Sequence, residues 1–374
     1  MLKLVLGASG SGKTTLLYAR IRARAEAGNR SILLVPEQFT SSTEARIYRE
    51  LGDALSGMVE SYSFTSLAEH ILAVEGGAAV QTLTDAGRAV LVRRALEELQ
   101  DNVHYYYRHR RSAAFCQMAA ETIDELKSAG LSGQQLQELA RDCGTESAKL
   151  GELALIFQGY ESLLAGTGMD PADRLELAAD RLEAALARDE LPDFLREREV
   201  FIDEFDTFNA PKKRLMGAML AALPAVTVAL CEDGAPMQPG DLELFSGAKQ
   251  VAAQLRQLAR KNGAQVAAPE LLRRDLRHKD APGLAALTEL LETGSCTPPE
   301  SAPELRLFAA ASREEEARCA AAAIRRLMRQ GVRCGKIAVV CRDISLYRAA
   351  VRYEFRMAEI PLYCDEPTRP RLIS

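Results

Sequence analysis

The stretch LGASGSGKTT, from Leu6 to Thr15, stands between a short apolar run and a helical one near the start of the chain. It fits the pattern G-x-x-x-x-G-K-[ST], which requires a strand before the loop and a helix after it. Glycines allow backbone amides to curl around phosphate groups, and the helix start adds partial positive charge. A glycine turn that only caps a helix is the alternative. The pattern predicts a phosphate-binding loop formed by Gly7, Ser9, Gly10, Ser11, Gly12, Lys13 and Thr14.

The ligands expected at this loop are ATP and Mg²⁺. In phosphate loops of this kind the lysine, here Lys13, reaches the β- and γ-phosphates, and the hydroxyl of Thr14 binds Mg²⁺. Such a site also needs a carboxylate from a neighbouring strand. The segment VFIDEFD supplies it, because Asp203 is expected to bind Mg²⁺ and Glu204 to orient the attacking water as a general base. The other interpretation of these two acids is a helix N-cap and a solvated loop.

The composition is that of a soluble globular protein. Of the 374 residues, 47% are hydrophobic and 26% are charged, and the length suits two or three domains. No apolar run approaches the roughly 20 residues that span a bilayer, and a signal peptide is not recognisable. We therefore expect a cytoplasmic protein without a membrane partner. Eight cysteines without a CxxC pair are predicted to be reduced thiols, and the net charge of −5 argues only against nonspecific attraction of the whole chain to nucleic acid.

Alternating strand and helix patterns predict an α/β lobe with a parallel sheet. The strands LKLVLG and SILLVPE come first, MVESYSF could add a third, and strands in REVFIDEFD and AVTVALCED follow a long interruption. Within the interruption, four segments have apolar residues at spacings of three and four. The predicted domains are therefore an ATP-binding lobe of residues 1–83 and 190–292, and an all-helical insertion of residues 84–189.

A second α/β lobe is expected after the linker TGSCTPPESAPE, which is rich in Pro and Ser. The segments LRLFAA (Leu305–Ala310) and KIAVVCRD (Lys336–Asp343) are predicted strands on either side of a helix. Two strands are too few to bury both faces of a parallel sheet. We therefore expect residues 305–374 to be the start of a second lobe, and the chain to be a piece of a longer protein.

Two further segments have side chains suited to DNA. HYYYRHRR mixes tyrosines with cations, so Tyr106 and Arg108 are predicted to contact a single strand, with a packed helix edge as the alternative. PEQFT follows the second strand, on the side of an open sheet where ligands bind. Its Gln38, Phe39 and Thr40 are predicted DNA contacts, with a loop and helix cap as the alternative.

Seven segments follow the phosphate loop in an order that is more specific than any one of them. They are LLVPEQFT, LTDAGRAVLVRRAL, IDELKSAGLS, LALIFQGYESLLAGTGMDPADRL, FIDEFDTF, GVRCGKIAVVCRD and IPLYCDEPTRP. Together they resemble the N-terminal part of the B subunits, AddB or RexB, of the bacterial ATP-dependent helicase-nucleases AddAB and RexAB. The resemblance covers nearly the whole chain.

The resemblance implies a superfamily 1 helicase-like P-loop NTPase: a RecA-like ATP-binding lobe, a helical insertion and the start of a second RecA-like lobe. It also implies processing of double-stranded DNA ends in recombinational repair, as a heterodimer with an A subunit that is the engine. In this family the B subunit recognises the Chi sequence and has a C-terminal nuclease domain with an iron–sulfur cluster, which we expect only outside these residues. The family's second acidic motif is often degenerate where this chain has Glu204, so hydrolysis of ATP by this protein stays open.

Two other functions are compatible with the loop. An independent P-loop kinase or phosphotransferase is one, although it predicts a compact lid rather than a long helical insertion and a second lobe. A scaffold that binds nucleotide without turnover is the other. Motors of this class usually complete the site with an arginine from the second lobe, so we expect little ATPase activity from these 374 residues alone.

Overall fold

A computed structural model describes residues 1–76, 82–235 and 244–364. The chain forms two compact units, of which the first is Met1–Thr297 and the second begins at Pro298. The last residues of the predicted second lobe, 365–374, lie outside the described residues, and so does the end of the segment IPLYCDEPTRP.

Within the described residues, the first unit is built on a sheet of six strands that are all parallel, which confirms the predicted α/β class and parallel sheet. The strands are β1 (Leu2–Gly7), β2 (Ser31–Leu34), β3 (Val59–Tyr62), β4 (Glu199–Ile202), β5 (Ala225–Cys231) and β6 (Glu270–Leu272). Their order in the sheet is β3-β2-β4-β5-β1-β6. Because the strands are parallel, the residues that follow them all lie at one edge of the sheet.

Helices surround the sheet and form most of the remaining structure. In the described ranges of the first unit they are α1 (Lys13–Glu26), α2 (Thr40–Leu51), α3 (Asp53–Ser56), α4 (Phe64–Glu75), α5 (Asp85–Glu98), α6 (Ala113–Ser128), α7 (Gly133–Arg141), α8 (Ser147–Leu164), α9 (Pro171–Ala187), α10 (Ala210–Ala222), α11 (Ser246–Lys261) and α12 (Pro282–Thr293). The second unit contains α13 (Arg313–Arg329) and α14 (Ile344–Met357). None of the described helices combines the length and the apolar character needed to cross a membrane.

The alternation of side chains along β1 explains why both faces of the sheet are covered. Leu4 and Leu6 are buried on one face together with residues of α4, α9, α10 and α11. Val5 is buried on the opposite face, in the cluster that includes Leu17 and Ile21 of α1. Successive side chains of a strand point to opposite faces, so a strand that is apolar throughout needs a helix layer on each side.

The four helices α5 to α8 have a core of their own. Residues of α5, α6, α7 and α8 pack around Phe157 and Tyr160, which are fully buried. The ammonium of Lys127 lies 2.9 Å from the buried carboxylate of Asp170, which also accepts a hydrogen bond from the Tyr160 hydroxyl at 2.7 Å. Helix α9 differs from its neighbours, because its apolar residues, including Leu182, belong to the core under the sheet.

The described part of the second unit corrects one prediction. Neither LRLFAA nor KIAVVCRD forms a strand there, although α13 lies between them and packs against α14 around Ile324 and Phe355. Leu307 is fully exposed, and Val340 is 90% exposed. A parallel strand is stabilised by ladder hydrogen bonds and by cover on both faces, and these two segments have neither.

Three local features also differ from the sequence interpretation. HYYYRHRR contains a short 3₁₀ turn, Tyr107–His109, and helix α6 begins only at Ala113. Helix α7 and strand β6 are not predicted from the sequence, because the first is short and the second has only three residues, Glu270–Leu272. The strand β6 pairs with β1 and extends the sheet at that edge.

Candidate functional site

The loop between β1 and α1 depends on its glycines. Gly10 and Gly12 have φ values of 82° and 91°, a region that residues with a side chain rarely adopt. A Cβ atom at Gly7 would lie 2.8 Å from the carbonyl oxygen of Leu272, and one at Gly10 would lie 2.8 Å from Cβ of Arg277. The loop therefore has this shape only with glycine at these positions, and its backbone amides lie at the start of α1.

Two polar side chains of the loop, those of Ser11 and Lys13, are buried or half-buried. The Lys13 ammonium donates to the carbonyl oxygens of Gly7 at 2.7 Å and Ala8 at 2.9 Å, and burial lowers its pKa. Ser11 is buried, and its hydroxyl oxygen has no hydrogen-bond partner in the described part of the chain. Amides at a helix start with a nearby ammonium are the groups that bind phosphate oxygens in proteins.

Asp203 is the buried carboxylate of the site. It follows β4, is 5% exposed, and accepts a hydrogen bond from the Glu204 amide at 3.0 Å. Burial raises the pKa of Asp203, and this is opposed by hydrogen bonds with the Thr14 side chain and the Glu204 amide. A hydroxyl and a carboxylate in contact are ligands suited to a hard divalent cation.

Glu204 has an unusual backbone conformation. Its φ is 65°, in the left-handed region that residues with a side chain seldom occupy. Burial and then the charge of Asp203 raise the pKa of Glu204, whereas the guanidinium of Arg46 lowers it. Backbone strain of this kind is concentrated at functional sites, and here it sets the direction of the chain directly after the buried carboxylate.

The loop and the two acids line one cavity of about 540 Å³. Its walls are formed by Ser9, Gly10, Gly12, Lys13, Thr14, Thr15, Arg46, Asp203, Glu204, Phe205, Asp206, Ala229, Cys231, Leu276 and Arg277. Lys13 and Asp203 are 190 positions apart in the chain. They meet because β5 alone separates β4 from β1 in the sheet, and its residues Ala229 and Cys231 form part of the wall between them.

Arg277, which the sequence alone does not predict as a site residue, reaches the loop from the segment after β6. Its guanidinium donates to the Ser9 hydroxyl at 3.2 Å, and the neighbouring Leu276 amide donates to the carbonyl oxygen of Gly10 at 3.0 Å. Asp275 shapes this turn by accepting from the amides of Arg277 at 3.0 Å and His278 at 3.1 Å. The only signal in the sequence is the apolar pair and arginine-rich run LLRRDLRH.

Arg46 is a second site residue that the sequence does not predict, and it reaches the cavity from α2. Its guanidinium lies 4.9 Å from the centre of the Tyr18 ring, and it lowers the pKa of both Asp203 and Glu204. Nothing in the surrounding sequence distinguishes this arginine from others on the surfaces of helices. Its position follows from how α2 packs beside α1.

A second concave region lies at the same edge of the sheet. This cleft of about 460 Å³ is lined by Val35, Pro36, Glu37, Gln38, Ser63, Phe64, Thr65, Asp124, Ser128, Ala172, Leu175, Glu204, Phe205, Asp206, Thr207, Asn209 and Lys212. It shares Glu204 with the cavity. Of the predicted DNA contacts, Gln38 lines the cleft, Phe39 is 36% exposed beside it, and the Thr40 hydroxyl donates to the Glu37 carbonyl oxygen at 2.7 Å.

The other two predicted DNA contacts lie elsewhere. Tyr106 is half-buried and stacks on Phe115, with ring centres 5.5 Å apart, at the core of the helical segment. Its amide donates to the Glu152 carboxylate at 3.1 Å. Arg108 is exposed. Neither residue lines the cavity or the cleft, and their contact with DNA stays a prediction.

The family model described as "ADDB, N-terminal" matches residues 4–288, which is well over half of the chain. The chain belongs to this family. Among curated relatives, proteins from Desulforudis audaxviator and Moorella thermoacetica are 34% and 33% identical over 97% of this chain. A relative from Clostridium perfringens is 29% identical over 98% of it.

All three relatives are named as the B subunit of an ATP-dependent helicase/deoxyribonuclease. The matched region is 32% of each relative, so the chain spans about a third of the length of the curated proteins that it matches. The ADDB match ends at residue 288, whereas the alignments with the relatives cover nearly the whole chain.

Proposed function

We propose that this chain is the N-terminal, helicase-like part of a helicase/deoxyribonuclease B subunit and that it binds ATP, Mg²⁺ and DNA. One observation carries the proposal: a glycine loop with Lys13 and Thr14 shares a cavity with Asp203 and Glu204. The names of the relatives support the same function. We assign the sheet to the P-loop NTPase class with a RecA-like arrangement, because a loop after β1 and a carboxylate after β4, two strands away, is the layout that this class uses.

The residues of the cavity fit a nucleoside triphosphate. Gly10 and Gly12 let the turn at Asp275–Arg277 approach the loop closely, because a Cβ atom at either glycine would collide with that turn. The Ser11 hydroxyl in the same loop has no hydrogen-bond partner among the described residues. Lys13 and Arg277 would bind phosphate oxygens, since both cations line the cavity. For Lys13 this means exchanging one of its present carbonyl partners for a phosphate oxygen.

The acidic side of the cavity fits Mg²⁺. Thr14 and Asp203 would hold the ion, which when bound neutralises negative charge on phosphate oxygens. Glu204 lines the same cavity as Asp203. Its positive φ turns the chain directly after Asp203, so the two side chains occupy different parts of the wall. We propose that Glu204 orients the attacking water and accepts its proton if this protein hydrolyses ATP.

We propose that the cleft beside Glu204 binds single-stranded DNA. Gln38 and Asn209 supply amide groups, and Thr65 supplies a hydroxyl. Lys212 lines the cleft and supplies a cation for phosphate, and the 36% exposed ring of Phe39 beside the cleft supplies an aromatic surface for bases. The more distant Tyr106 and Arg108 are further proposed contacts.

The names of the relatives support a larger assembly. A protein named as a B subunit implies another component, and we propose a heterodimer with an A subunit that acts on double-stranded DNA ends in recombinational repair. We also propose a cytoplasmic location. The ATP-binding lobe would comprise residues 1–83 and 190–292, the helical insertion residues 84–189, and the second lobe would begin at residue 305. Any iron–sulfur cluster would lie outside this chain.

An independent phosphotransferase is the second proposed function. The observation that favours it is the cleft next to Glu204, which could hold a small acceptor instead of DNA. A scaffold that binds nucleotide without turnover is the third, and it differs from the first only in the role of Glu204.

Equilibrium binding of a fluorescent ATP analogue, with and without Mg²⁺, tests the proposal. Lys13→Ala removes a charge-assisted contact that is worth about 1.5–3 kcal/mol, so we expect affinity to fall roughly tenfold to a hundredfold. Lys261→Ala, at the exposed end of α11, is the matched control and leaves affinity unchanged. Wild-type affinity in Lys13→Ala would refute the nucleotide assignment.

Turnover and DNA binding separate the three functions. Glu204→Gln is expected to bind nucleotide normally and to lose any turnover measured with single-stranded DNA. Wild-type nucleotide binding without turnover, with DNA and the A subunit present, favours the scaffold. Salt-sensitive affinity for single-stranded DNA supports the first function, whereas transfer of phosphate to a small acceptor would support the phosphotransferase.

A further inference from the structure

Helix α2 joins the two concave regions of the site. It begins at Thr40, directly after the turn Glu37–Phe39 beside the cleft, and continues to Leu51. Arg46 lies six residues into it, which corresponds to roughly 9 Å along the helix axis. Its buried residues Thr43, Ile47 and Leu51 pack against the first unit, and the regular helical backbone joins the start of α2 to Arg46.

Arg46 is the residue of α2 that reaches the cavity. It lines the cavity together with Lys13 and Asp203, and its guanidinium lies over the Tyr18 ring at 4.9 Å. It also lines an adjoining hollow of about 300 Å³ with Arg49.

Within the described ranges, no salt bridge of 4.0 Å or less joins Arg46 to a carboxylate. It is half-buried and lines the same cavity as the carboxylates of Asp203 and Glu204, but in the described part of the chain it forms a salt bridge with neither of them. A planar guanidinium in this situation is suited to bidentate contact with phosphate oxygens. Arg49, one turn further along α2, is exposed and lines only the adjoining hollow.

We propose that Arg46 contacts the bound nucleotide and couples its binding to the binding of a DNA strand at the other end of α2. The inference rests on the proposed function, because it needs a nucleotide in the cavity and a strand at the turn that contains Gln38. A strand held at this turn restrains the start of α2 and with it the position of Arg46. A nucleotide then binds a guanidinium that is already ordered, so each ligand increases the affinity for the other by the same factor.

The experiment measures the affinity for a fluorescent ATP analogue with Mg²⁺, with and without a saturating oligothymidylate. We expect the oligonucleotide to increase wild-type affinity at least fivefold, the lower end of common coupling factors. In Arg46→Ala the increase should be below twofold, while the affinity for the oligonucleotide alone stays near the wild-type value. Arg49→Ala is the matched control on the same helix and should keep the wild-type increase.

A second readout follows the helix itself. The chain contains no tryptophan, so Tyr48→Trp places a single fluorophore on α2 at a position that is 56% exposed. We expect its emission to change when the oligonucleotide binds in the absence of nucleotide. Arg46→Gln, which retains a side-chain stem without the charge, replaces Arg46→Ala if the alanine variant does not fold.

The possible results distinguish failure of the role of Arg46 from failure of the proposed function. If wild type binds both ligands without coupling, or if Arg46→Ala and Arg46→Gln keep the full coupling, the role of Arg46 is refuted and the proposed function stands. If the wild-type chain binds no nucleotide or no oligonucleotide, both are refuted. Loss of coupling in Arg49→Ala to the same extent would show a general effect of the charge of α2, and would also overturn the assignment to Arg46.

Discussion

Gly10→Ala is expected to weaken nucleotide binding at least tenfold, with a smaller effect on the fold. Gly10 has a φ of 82°, and a Cβ atom there would lie 2.8 Å from Cβ of Arg277 and 2.9 Å from a carboxylate oxygen of Asp275. The carbonyl oxygen of Gly10 also accepts the hydrogen bond from the Leu276 amide. The methyl group of the alanine would therefore collide with the turn Asp275–Arg277, which holds Arg277 against the loop.

The magnitude follows from two separate costs. The left-handed conformation costs an alanine about 1–2 kcal/mol, and forcing a methyl group into occupied space costs about 1–3 kcal/mol more. The loop can relieve the second cost only by moving away from the turn at Asp275–Arg277. Binding must then restore the loop, and a penalty of about 1.4 kcal/mol already corresponds to a tenfold loss of affinity.

Gly28→Ala is the matched control. Gly28 follows α1, has a φ of 78°, and a Cβ atom there would meet no atom of the described residues within 4 Å. It therefore has the same conformational cost without the steric contact. Both variants should lose about 1–2 kcal/mol of unfolding free energy in urea denaturation, and only Gly10→Ala should bind the fluorescent ATP analogue more weakly. Wild-type affinity in Gly10→Ala, or an equal loss in both variants, would show that the contact with Arg277 and Asp275 does not shape the loop.

Two further predictions concern buried charges. Lys127→Met leaves the carboxylate of Asp170 buried without its ion pair, so we expect urea denaturation to show a loss of about 3–5 kcal/mol of unfolding free energy. Lys149→Met, which breaks an exposed ion pair with Glu146, is the control and should change the unfolding free energy by less than about 1 kcal/mol. Similar losses in the two variants would contradict the role of burial. Burial raises the pKa of Asp203 above its ordinary 3.8, so the folded protein binds the proton more tightly than the unfolded chain. The stability that this group contributes is therefore present below pH 3.8 and is lost as the pH rises through the folded pKa. In metal-free buffer, Asp203→Asn should become more stable relative to wild type as the pH rises over that range. If Asp203→Asn instead became less stable relative to wild type, burial would not be the cause of the raised pKa.

The local sequence is sufficient to predict the helices, strands and loop on which the site is built. The glycine loop, the strand before it and helix α1 are predictable because each depends on residues that are neighbours in the chain. Strands β2, β4 and β5 are recognisable for the same reason, as short apolar runs that end in polar residues. The two acids after β4 can be assigned to the loop from chemistry alone, since parallel strands end at one edge of a sheet.

Long-range packing decides what the local pattern leaves open. LRLFAA and KIAVVCRD have the composition of strands, yet they form none in the described residues, because a strand requires a neighbour. Tyr106 lies in a segment whose aromatic and basic residues suit contact with DNA, and only the structure shows that its ring also packs against Phe115. A short apolar run or an aromatic side chain is compatible with several environments, and the surrounding chain selects one of them.

The order of residues along the chain is enough to predict a phosphate loop, a helix and a carboxylate after a buried strand, and to indicate the family to which their order belongs. It takes the folded molecule to show that β5 separates β4 from β1, that β6 places Arg277 against Ser9, and that α2 directs Arg46 into the cavity. The physical reason is that backbone conformation depends mainly on neighbouring residues. The presence of Arg46 and Arg277 in one cavity depends instead on packing, because these residues lie 33 and 264 positions after Lys13 in the chain.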